Sequence, residues 1–416
     1  MQALLDATHS YLTEKLVPFW AARVVEPRCG GFQTNYGRDG RRTDVTEKSL
    51  LAQARCLFTI AHVRRQGFEW PGAEQALEQG LAFLRRHLRD PEHGGYYWIV
   101  REDGSPQDDR KVLYGHAFLL YGLSEYALLT GEAAVRAEAE ALFELIQHRA
   151  ADPEHGGYFE HFERDFSLRR AHPGAPVHKS LDVHMHLMEA FTTLFELTGA
   201  AAHREALVAV TELIFDRMLD PETGTGIAMF SSDWRPVANV ELDTVWGADR
   251  FDERGKPPEI TSYGHNVELA WLYLHRQDVL GLPRRDSLER VLPIFEHTLR
   301  HGVDREYGGL FVEGHRRGGV TEDTKEFWQQ AEALIGFLDA YALTGRAEFL
   351  RAFEDVNRFV FTRMIAWDQG EWLALLDRRG DVLWDHLGTS WKVCYHTVRS
   401  MVGCVRRLER LARQKT

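Results

Sequence analysis

The amino-acid sequence predicts an all-α fold, an (α/α)6 barrel of twelve helices with short β-hairpins at the inner-helix N-terminal mouth. Three observations support this prediction: a turn segment recurs six times in 416 residues, two kinds of helical pattern alternate between its copies, and the terminal repeats resemble the middle ones. An open array of repeats needs polar capping units at its ends, whereas a closed ring does not. We therefore expect one domain covering residues 1–416.

The turn segment has the form Asp-Pro-x-x-Gly-Gly and is followed by aromatic residues. Asp and Pro start a turn, and the paired glycines allow a positive φ. A second turn with glycine follows, as at residues 102–104, so each copy predicts a small β-hairpin. The six copies begin at Glu26, Asp90, Asp152, Asp220, Asp304 and Asp368.

Two helical patterns lie between successive hairpins. Residues 115–129 are apolar over most of the helical circumference, which is typical of an inner helix. Residues 73–89 carry charges on one face, which is typical of an outer helix. Three predicted inner helices end in Thr-Gly, at Gly131, Gly199 and Gly345, where glycine suits a left-handed C-cap. In a closed barrel all inner helices run the same way, so their N-termini meet at one mouth beside the hairpins.

Composition and charge restrict the class of protein. The hydrophobic content of 44% and charged content of 27% are ordinary for a globular chain. A net charge of −12 argues against a nucleic-acid partner, which would need a basic face. The four cysteines show neither metal-ligand spacing nor the spacing of a secreted disulfide framework, and the N-terminus is not a signal peptide, so we expect a cytoplasmic protein. We expect it to be a monomer or a homodimer. No apolar stretch reaches the roughly 18 residues of a membrane span.

Polar and aromatic residues fall at the same phase of every predicted inner helix, close to its N-terminus. In a closed barrel that phase is one place, so we expect these side chains to converge on a central cleft. The converging set comprises Arg55, His184 or His186, His265, Glu268, Glu332 and His396. Residues i and i+2 of a helix point apart, so one member of the His184/His186 pair is expected to be a packing or hydrogen-bonding residue.

A metal site is the main alternative use of this set, because two or three histidines with a glutamate can bind zinc. The chain has no His-Glu-x-x-His segment, and His265 with Glu268 is only an i, i+3 pair. A histidine with a glutamate one turn on can equally be a base held by a carboxylate. Trp328 and Trp391 fit a core role or a sugar-stacking role.

Four ordered segments resemble the N-acylglucosamine 2-epimerase superfamily, which includes cellobiose 2-epimerases, mannose isomerases and mannose 2-epimerases. The segments are residues 184–191, 262–268, 328–333 and 391–396. The resemblance covers nearly the whole chain. It implies an (α/α)6 barrel that moves a proton at C2 of an opened aldose and needs no metal or redox cofactor.

The resemblance also implies roles for individual residues. His265 and His396 match the two general acid/base residues, and Glu268 would hold His265. His186 would assist near the ring oxygen or O1, and Arg55 would stabilise the enediolate. The expected sugar-contacting residues are Tyr114, Asp182, His184, Trp328, Glu332 and Trp391. Asp182 departs from the Asn of cellobiose-type epimerases, which bears on the choice of substrate.

The fourth repeat is longer than the others, and its excess lies at residues 240–258, directly before the His265 helix. This segment, with Trp246 as a further sugar contact, is either a surface insertion or a lid that excludes a second sugar ring. The lid favours a free monosaccharide, with D-mannose/D-glucose 2-epimerisation first. Cellobiose 2-epimerisation and mannose–fructose isomerisation are the alternatives within the superfamily. A metal-dependent carbohydrate hydrolase and a binding protein without catalysis are the alternatives from other classes.

Overall fold

The computed structural model describes residues 1–170, 172, 175–239 and 255–413. The α-helices in these residues are α1 (Gln2–Tyr11), α2 (Val17–Ala21), α3 (Leu50–Arg65), α4 (Ala73–Phe83), α5 (Leu113–Thr130), α6 (Ala133–Arg149), α7 (Leu181–Thr198), α8 (Ala201–Arg217), α9 (Tyr263–Val279), α10 (Leu288–His297), α11 (Phe327–Thr344), α12 (Ala347–Phe359) and α13 (Cys394–Arg413). The π-helical turn Leu12–Leu16 joins α1 to α2, so the described residues contain twelve long helices. Similar turns extend α4, α10 and α12.

Six of these helices form an inner ring. Each of α3, α5, α7, α9, α11 and α13 contacts the next, and α13 also contacts α3. The inner helices α3, α5, α7, α9 and α11 each pack against the outer helix that follows in the chain, and the inner helix α13 packs against α1. The inner helix α5 is buried on every side from Leu113 to Ala127, whereas the outer helix α6 buries one face. No helix in the described part of the chain is long and apolar enough to cross a membrane.

Short antiparallel strands connect the repeats at the inner-helix N-termini. The strands are β1 (Lys48–Ser49), β2 (Ile99–Val100), β3 (Pro106–Asp108), β4 (Lys111–Val112), β5 (His161–Phe162), β6 (His178–Ser180), β7 (Met229–Ser231), β8 (Ile260–Ser262), β9 (Glu313–His315), β10 (Val320–Glu322), β11 (Lys325–Glu326), β12 (Ile365–Ala366), β13 (Glu371–Trp372), β14 (Leu375–Leu376) and β15 (Val382–Trp384). The strand before an inner helix pairs with the hairpin of the next repeat, as in β1–β2, β4–β5, β6–β7, β8–β9 and β11–β14.

The sixth connection joins the last repeat to the first. The backbone N–H of Tyr36 donates to the carbonyl of Gly388 at 2.8 Å, and the N–H of Leu387 donates to the carbonyl of Tyr36 at 3.0 Å. The hairpins therefore link neighbouring repeats all the way round, at the mouth where the sequence predicted them.

The residues that cap the ends of the inner helices include those predicted from the sequence. Gly131, Gly199 and Gly345 end α5, α7 and α11 with φ values of 73°, 63° and 69°, the left-handed C-caps predicted from Thr-Gly. Ser49, Ser180 and Ser262 cap the N-termini of α3, α7 and α9 with their hydroxyl oxygens.

Buried lysines tie the turn segments to the inner helices, and the sequence analysis missed them. In the second repeat, the Nζ of Lys111 donates to Asp90 at 2.8 Å, while Asp90 also accepts the backbone N–H groups of residues 92 and 93. The equivalent pairs are Lys48–Glu26, Lys179–Asp152, Lys325–Asp304 and Lys392–Glu371. In the fourth repeat, Thr261 occupies the lysine position and Arg316 bonds Asp220 instead. These pairs hold the start of each inner helix in place.

Candidate functional site

The fourth residues of the inner helices form a ring of polar side chains that support the hairpins. This anchor ring comprises Gln53, His116, His184, Asn266, Gln330 and Thr397. In the first five, the side chain accepts a backbone N–H of the turn segment at 2.6 to 3.0 Å. A buried N–H group without a partner is costly, so these bonds fix the turns to the helices.

His184 belongs to the anchor ring. Its Nε2 accepts the backbone N–H of Tyr158 at 3.0 Å, and its Nδ1 lies 2.7 Å from the carbonyl of Ser180. Burial lowers the pKa of His184 to about 4, so the ring is neutral and both nitrogens are engaged with the backbone. The structure therefore places His184 outside the cluster of predicted sugar contacts, as the hydrogen-bonding member of the His184/His186 pair.

Two residues further along each inner helix lies a second ring, whose side chains contact one another. This axial ring comprises Arg55, Phe118, His186, Glu268, Glu332 and Arg399. All six are buried, and five of them can carry a charge. With 3.6 residues per turn, side chains two apart point to nearly opposite sides of a helix. The anchor ring and the axial ring are therefore directed to different surroundings.

Arg399 lies at the centre of the axial ring. Its Nη2 donates to Glu268 at 3.0 Å and to Glu332 at 2.7 Å, and its Nη1 donates to Glu189 and to the hydroxyl of Tyr395. Burial opposes the charged form, but the surrounding carboxylates raise the pKa of Arg399 well above its ordinary value. One guanidinium thus donates hydrogen bonds to three carboxyl groups and orients them. The sequence analysis did not include Arg399, although it has the same helical phase as Arg55.

His396 lies one turn before Arg399 on α13. Its Nδ1 is 2.6 Å from Glu332 Oε1, and the other oxygen of Glu332 accepts the indole N–H of Trp271 at 2.9 Å. Burial lowers the pKa of His396 to about 3, against the opposing effect of Glu332. The imidazole is therefore neutral, with Nδ1–H donating to Glu332 and the lone pair on Nε2. This is the protonation state of a general base.

His265 lies near the start of α9 and is the most exposed of the predicted catalytic residues. The hydroxyl oxygen of Ser262 caps its backbone N–H at 3.3 Å, and its side chain is 29% exposed. Its ring centroid is 4.6 Å from that of Trp328, and the ring of His396 lies 5.7 Å from the same indole. Trp328 therefore contacts both predicted acid/base histidines.

Arg55 is enclosed by aromatic rings. Its Nη2 donates to the hydroxyl of Tyr114 at 3.0 Å, and its Cζ is 4.3 Å from the centroid of Phe118 and 5.0 Å from that of Trp391. Tyr114 and Trp391 are stacked, with their planes 9° apart. Cation–π contacts of this kind hold a guanidinium without neutralising it. Arg55 thus keeps its positive charge, and the structure brings it together with the predicted contacts Tyr114 and Trp391.

His186 carries a carboxylate at each ring nitrogen. Its Nδ1 is 2.9 Å from Glu189 Oε2, and its Nε2 is 3.1 Å from Asp182 Oδ1. Burial alone would lower the pKa of His186, but the neighbouring carboxylates of Asp182 and Glu189 raise it to about 9. His186 is therefore an imidazolium near neutral pH.

Glu268 does not have the partner that the sequence predicted. Its Oε1 accepts from Arg399, and the charge of Glu332 lies nearby, whereas His265 faces Asp182 with 3.6 Å between Nε2 and Oδ1. Burial, followed by repulsion from Glu332, raises the pKa of Glu268 to about 8. Glu268 is therefore mainly protonated at neutral pH and is placed with Glu332 rather than with His265. The pairing of two carboxylates across α9 and α11 could not be read from sequence spacing.

Glu268, Glu332 and His396 also form a potential metal-binding set, with ligand atoms within 4.8 Å of one another. Arg399 donates to both carboxylates, and the Nδ1 of His396 is bonded to Glu332. A metal ion at this point would have to displace the guanidinium from both glutamates. The donor set therefore fits proton transfer better than metal ligation.

A cavity of about 350 Å³ lies at the N-terminal ends of α7 and α9, between the third and fourth repeats. Of the predicted site residues that the structure describes, Asp182 and His265 line it. Residues 240–254, including Trp246, lie outside the described residues. The described residues that flank this segment are in contact, because Asn239 exchanges backbone hydrogen bonds of 2.8 and 3.0 Å with Gly255 and Lys256. Asn239 and Lys256 both line the cavity.

Comparisons with known proteins agree on one family. A family model described as N-acylglucosamine 2-epimerase (GlcNAc 2-epimerase) matches residues 30–400. The cellobiose 2-epimerase of Eubacterium cellulosolvens is 26% identical over 403 residues, which are 95% of this chain and 96% of that protein. The D-mannose isomerase of Pseudomonas cannabina pv. alisalensis is 27% identical over 387 residues, which are 90% of this chain and 87% of that protein.

The fold has a similar match among solved structures. The cellobiose 2-epimerase from Spirochaeta thermophila DSM 6192 superposes with a TM-score of 0.86 at 27% identity, covering 99% of this chain and 98% of that chain. The similarity therefore spans the helical architecture from end to end.

Proposed function

The chain belongs to the N-acylglucosamine 2-epimerase family and is a carbohydrate epimerase or isomerase, and we propose that it interconverts D-mannose and D-glucose by proton transfer at C2. The observation that carries this proposal is the arrangement of His265 and His396 around Trp328. The two imidazoles belong to helices on either side of the helix that carries the indole. The ring of inner and outer helices supports the (α/α)6 barrel as the architecture that presents them.

Two histidines suit an epimerisation. The C2–H of a sugar is a very weak acid, and it becomes removable only when the ring has opened and the C1 carbonyl is exposed. One imidazole takes the proton from one face of C2, and the other imidazole gives a proton to the opposite face. Each histidine is base in one direction and acid in the other. His396 starts in the neutral form that this cycle requires.

The positive charges near the cleft support the developing enediolate. Arg55 and His186 are both cationic and lie on neighbouring sides of Tyr114, which hydrogen-bonds Arg55 and contacts the ring of His186 with 5.2 Å between centroids. Fixed cations in a buried site stabilise a developing oxyanion without reorganisation. The six inner-helix N-termini contribute in the same sense, because their dipoles favour negative charge.

The free aldose is favoured over a disaccharide by the position of the insertion. The described residues on either side of it, Asn239 and Lys256, line the same cavity as Asp182 and His265. Cellobiose 2-epimerisation is the second candidate, and the relative from Eubacterium cellulosolvens supports it. Mannose–fructose isomerisation is the third, supported by the D-mannose isomerase relative.

Incubation with D-mannose in D2O without added metal, followed by NMR of the sugars, tests the proposal. Glucose with deuterium at C2 and little fructose is the expected result. Fructose as the main product would make the enzyme an isomerase. Turnover of cellobiose but not of mannose would assign the second candidate. A strong chelator should have no effect, and loss of activity that added metal restores would favour a metal-dependent reaction.

A further inference from the structure

The candidate site contains three histidines, His186, His265 and His396, but epimerisation needs only two acid/base groups. We propose that Asp182 is a positioning residue that holds His186 as an imidazolium, so that His186 supplies a fixed positive charge to the cleft rather than acting as a base. This inference rests on the proposed function for its catalytic consequence. The arrangement of charges around His186 carries it independently of that function.

The first argument is the geometry of the His186 ring. Carboxylate oxygens lie 2.9 Å from Nδ1 and 3.1 Å from Nε2. A neutral imidazole has one N–H and one lone pair, so one of these carboxylates would face a lone pair. The imidazolium has an N–H at each nitrogen, so Glu189 accepts a hydrogen bond from Nδ1 and Asp182 forms an ion pair beside Nε2. The raised pKa of His186 agrees with this assignment.

The second argument separates the two carboxylates. Glu189 accepts hydrogen bonds from Arg399 and from the hydroxyl of Tyr395, so its negative charge is already balanced from α13. Asp182 lies in the first turn of α7, where the helix dipole favours the ionised carboxylate. The charge on Asp182 is therefore the one that decides whether His186 keeps its second proton.

The surroundings of His186 on the other helices leave this conclusion unchanged. Ionised Glu268 of α9 also favours the imidazolium, but burial keeps Glu268 mainly protonated at neutral pH. From α5, Tyr114 and Phe118 present uncharged rings at 5.2 and 4.6 Å between centroids. The cations Arg399 of α13 and Arg55 of α3 are held by Glu189 and by aromatic rings, respectively.

Asp182 also lies close to His265, one of the two proposed acid/base residues. Its Oδ1 lies 3.6 Å from Nε2 of His265, so one carboxylate oxygen stands between two histidines with different roles. Replacement by the neutral amide of Asn keeps the shape and one acceptor oxygen but removes the charge.

NMR titration of isotope-labelled histidines in the wild type and in Asp182→Asn tests the proposal, with His186→Gln used to assign the resonance. The pKa of His186 should fall by about one to three pH units in Asp182→Asn. An unchanged titration of His186 would overturn the proposal. Asp109→Asn, an exposed carboxylate away from the cluster, is the matched control and should leave His186 unchanged.

Kinetics separate positioning from direct sugar binding. If Asp182 acts through His186, Asp182→Asn lowers kcat with little change in KM. The double variant Asp182→Asn/His186→Gln then has the kcat of His186→Gln alone. A raised KM with unchanged kcat, or additive losses in the double variant, would assign Asp182 to substrate contact and contradict the proposal. If the wild type turns over no aldose, the proposed function fails, while the titration still decides the role of Asp182.

Discussion

The anchor ring and the axial ring lie two residues apart on the same six helices, yet their side chains have different kinds of partner. The anchor ring bonds the backbone of the hairpins, and His184 accepts from Tyr158 there in a neutral state. The axial ring bonds other side chains, and His186 is charged there between Asp182 and Glu189. The role of a buried histidine therefore depends on whether its hydrogen-bond partners are fixed backbone groups or titratable side chains.

The largest expected effect comes from removing either acid/base histidine. His265→Gln and His396→Gln should each lower epimerisation by about 10²- to 10⁴-fold, because one face of C2 then lacks its proton donor and acceptor. Each variant should still exchange the C2 proton of one epimer with solvent, and the two variants should differ in which epimer. The measurement is deuterium incorporation at C2 from pure mannose and pure glucose. Near-normal epimerisation in either variant would end the two-base assignment.

Replacing His184 of the anchor ring and His186 of the axial ring by the same residue, glutamine, tests whether the two rings have different roles. His184→Gln places at this position the residue that the anchor ring uses at Gln53 and Gln330, so activity and stability should change little, the latter by about 1 kcal/mol or less. His186→Gln removes a fixed cation and should lower kcat about 10²-fold. Steady-state kinetics and urea unfolding of both variants measure these effects. Equal losses at the two positions would show that the distinction between the rings is wrong.

Arg399→Met tests how the axial ring is held together. Removal of the guanidinium leaves Glu189, Glu268 and Glu332 buried around an apolar side chain, which should cost about 3–5 kcal/mol of folding stability. Chemical denaturation measures the loss. A variant as stable as the wild type would mean that the three carboxylates do not depend on Arg399.

Glu268→Gln should change stability in a way that depends on pH. The folded-state pKa of Glu268, about 8, lies above the ordinary value of 4.5, so the folded state holds this proton more tightly than the unfolded state. The resulting stability is complete below about pH 4.5 and is lost as the pH rises to about 8. Glutamine stays neutral, so the variant should gain in Tm relative to the wild type across this window. Thermal unfolding at several pH values tests this, and a constant difference in Tm would contradict it.

Much of the fold could be predicted from the sequence because local chemistry encodes it. The glycine pairs and the Thr-Gly ends mark turns and caps, and the periodicity of residues 115–129 and 73–89 distinguishes inner from outer helices. The buried lysines were missed because a lone lysine before a helix carries no local sign of burial. Its partner lies in another segment, as Asp90 does for Lys111.

The sequence indicated the helical phase of the candidate site but not the pairing of its residues. Arg55, His186, Glu268 and Glu332 share that phase, and all four are buried members of the axial ring. Which carboxylate faces which histidine depends on how the inner helices are rotated against each other, which sequence spacing does not give. The i, i+2 rule showed that His184 and His186 differ, and the anchor-ring residues Gln53 and Gln330 could have shown which one is structural.

The hydrogen bonds between Tyr36 and Gly388 have a consequence for how the enzyme is made. They close the ring between its first and last repeats, and α13, which supplies His396 and Arg399, packs between α11 and α3. Contacts between distant parts of a chain form slowly, because a large loop must close before they contribute. Most helices can form before α13 docks, whereas both the second histidine and the central guanidinium arrive only with it. During refolding, catalytic activity should therefore recover later than helical structure.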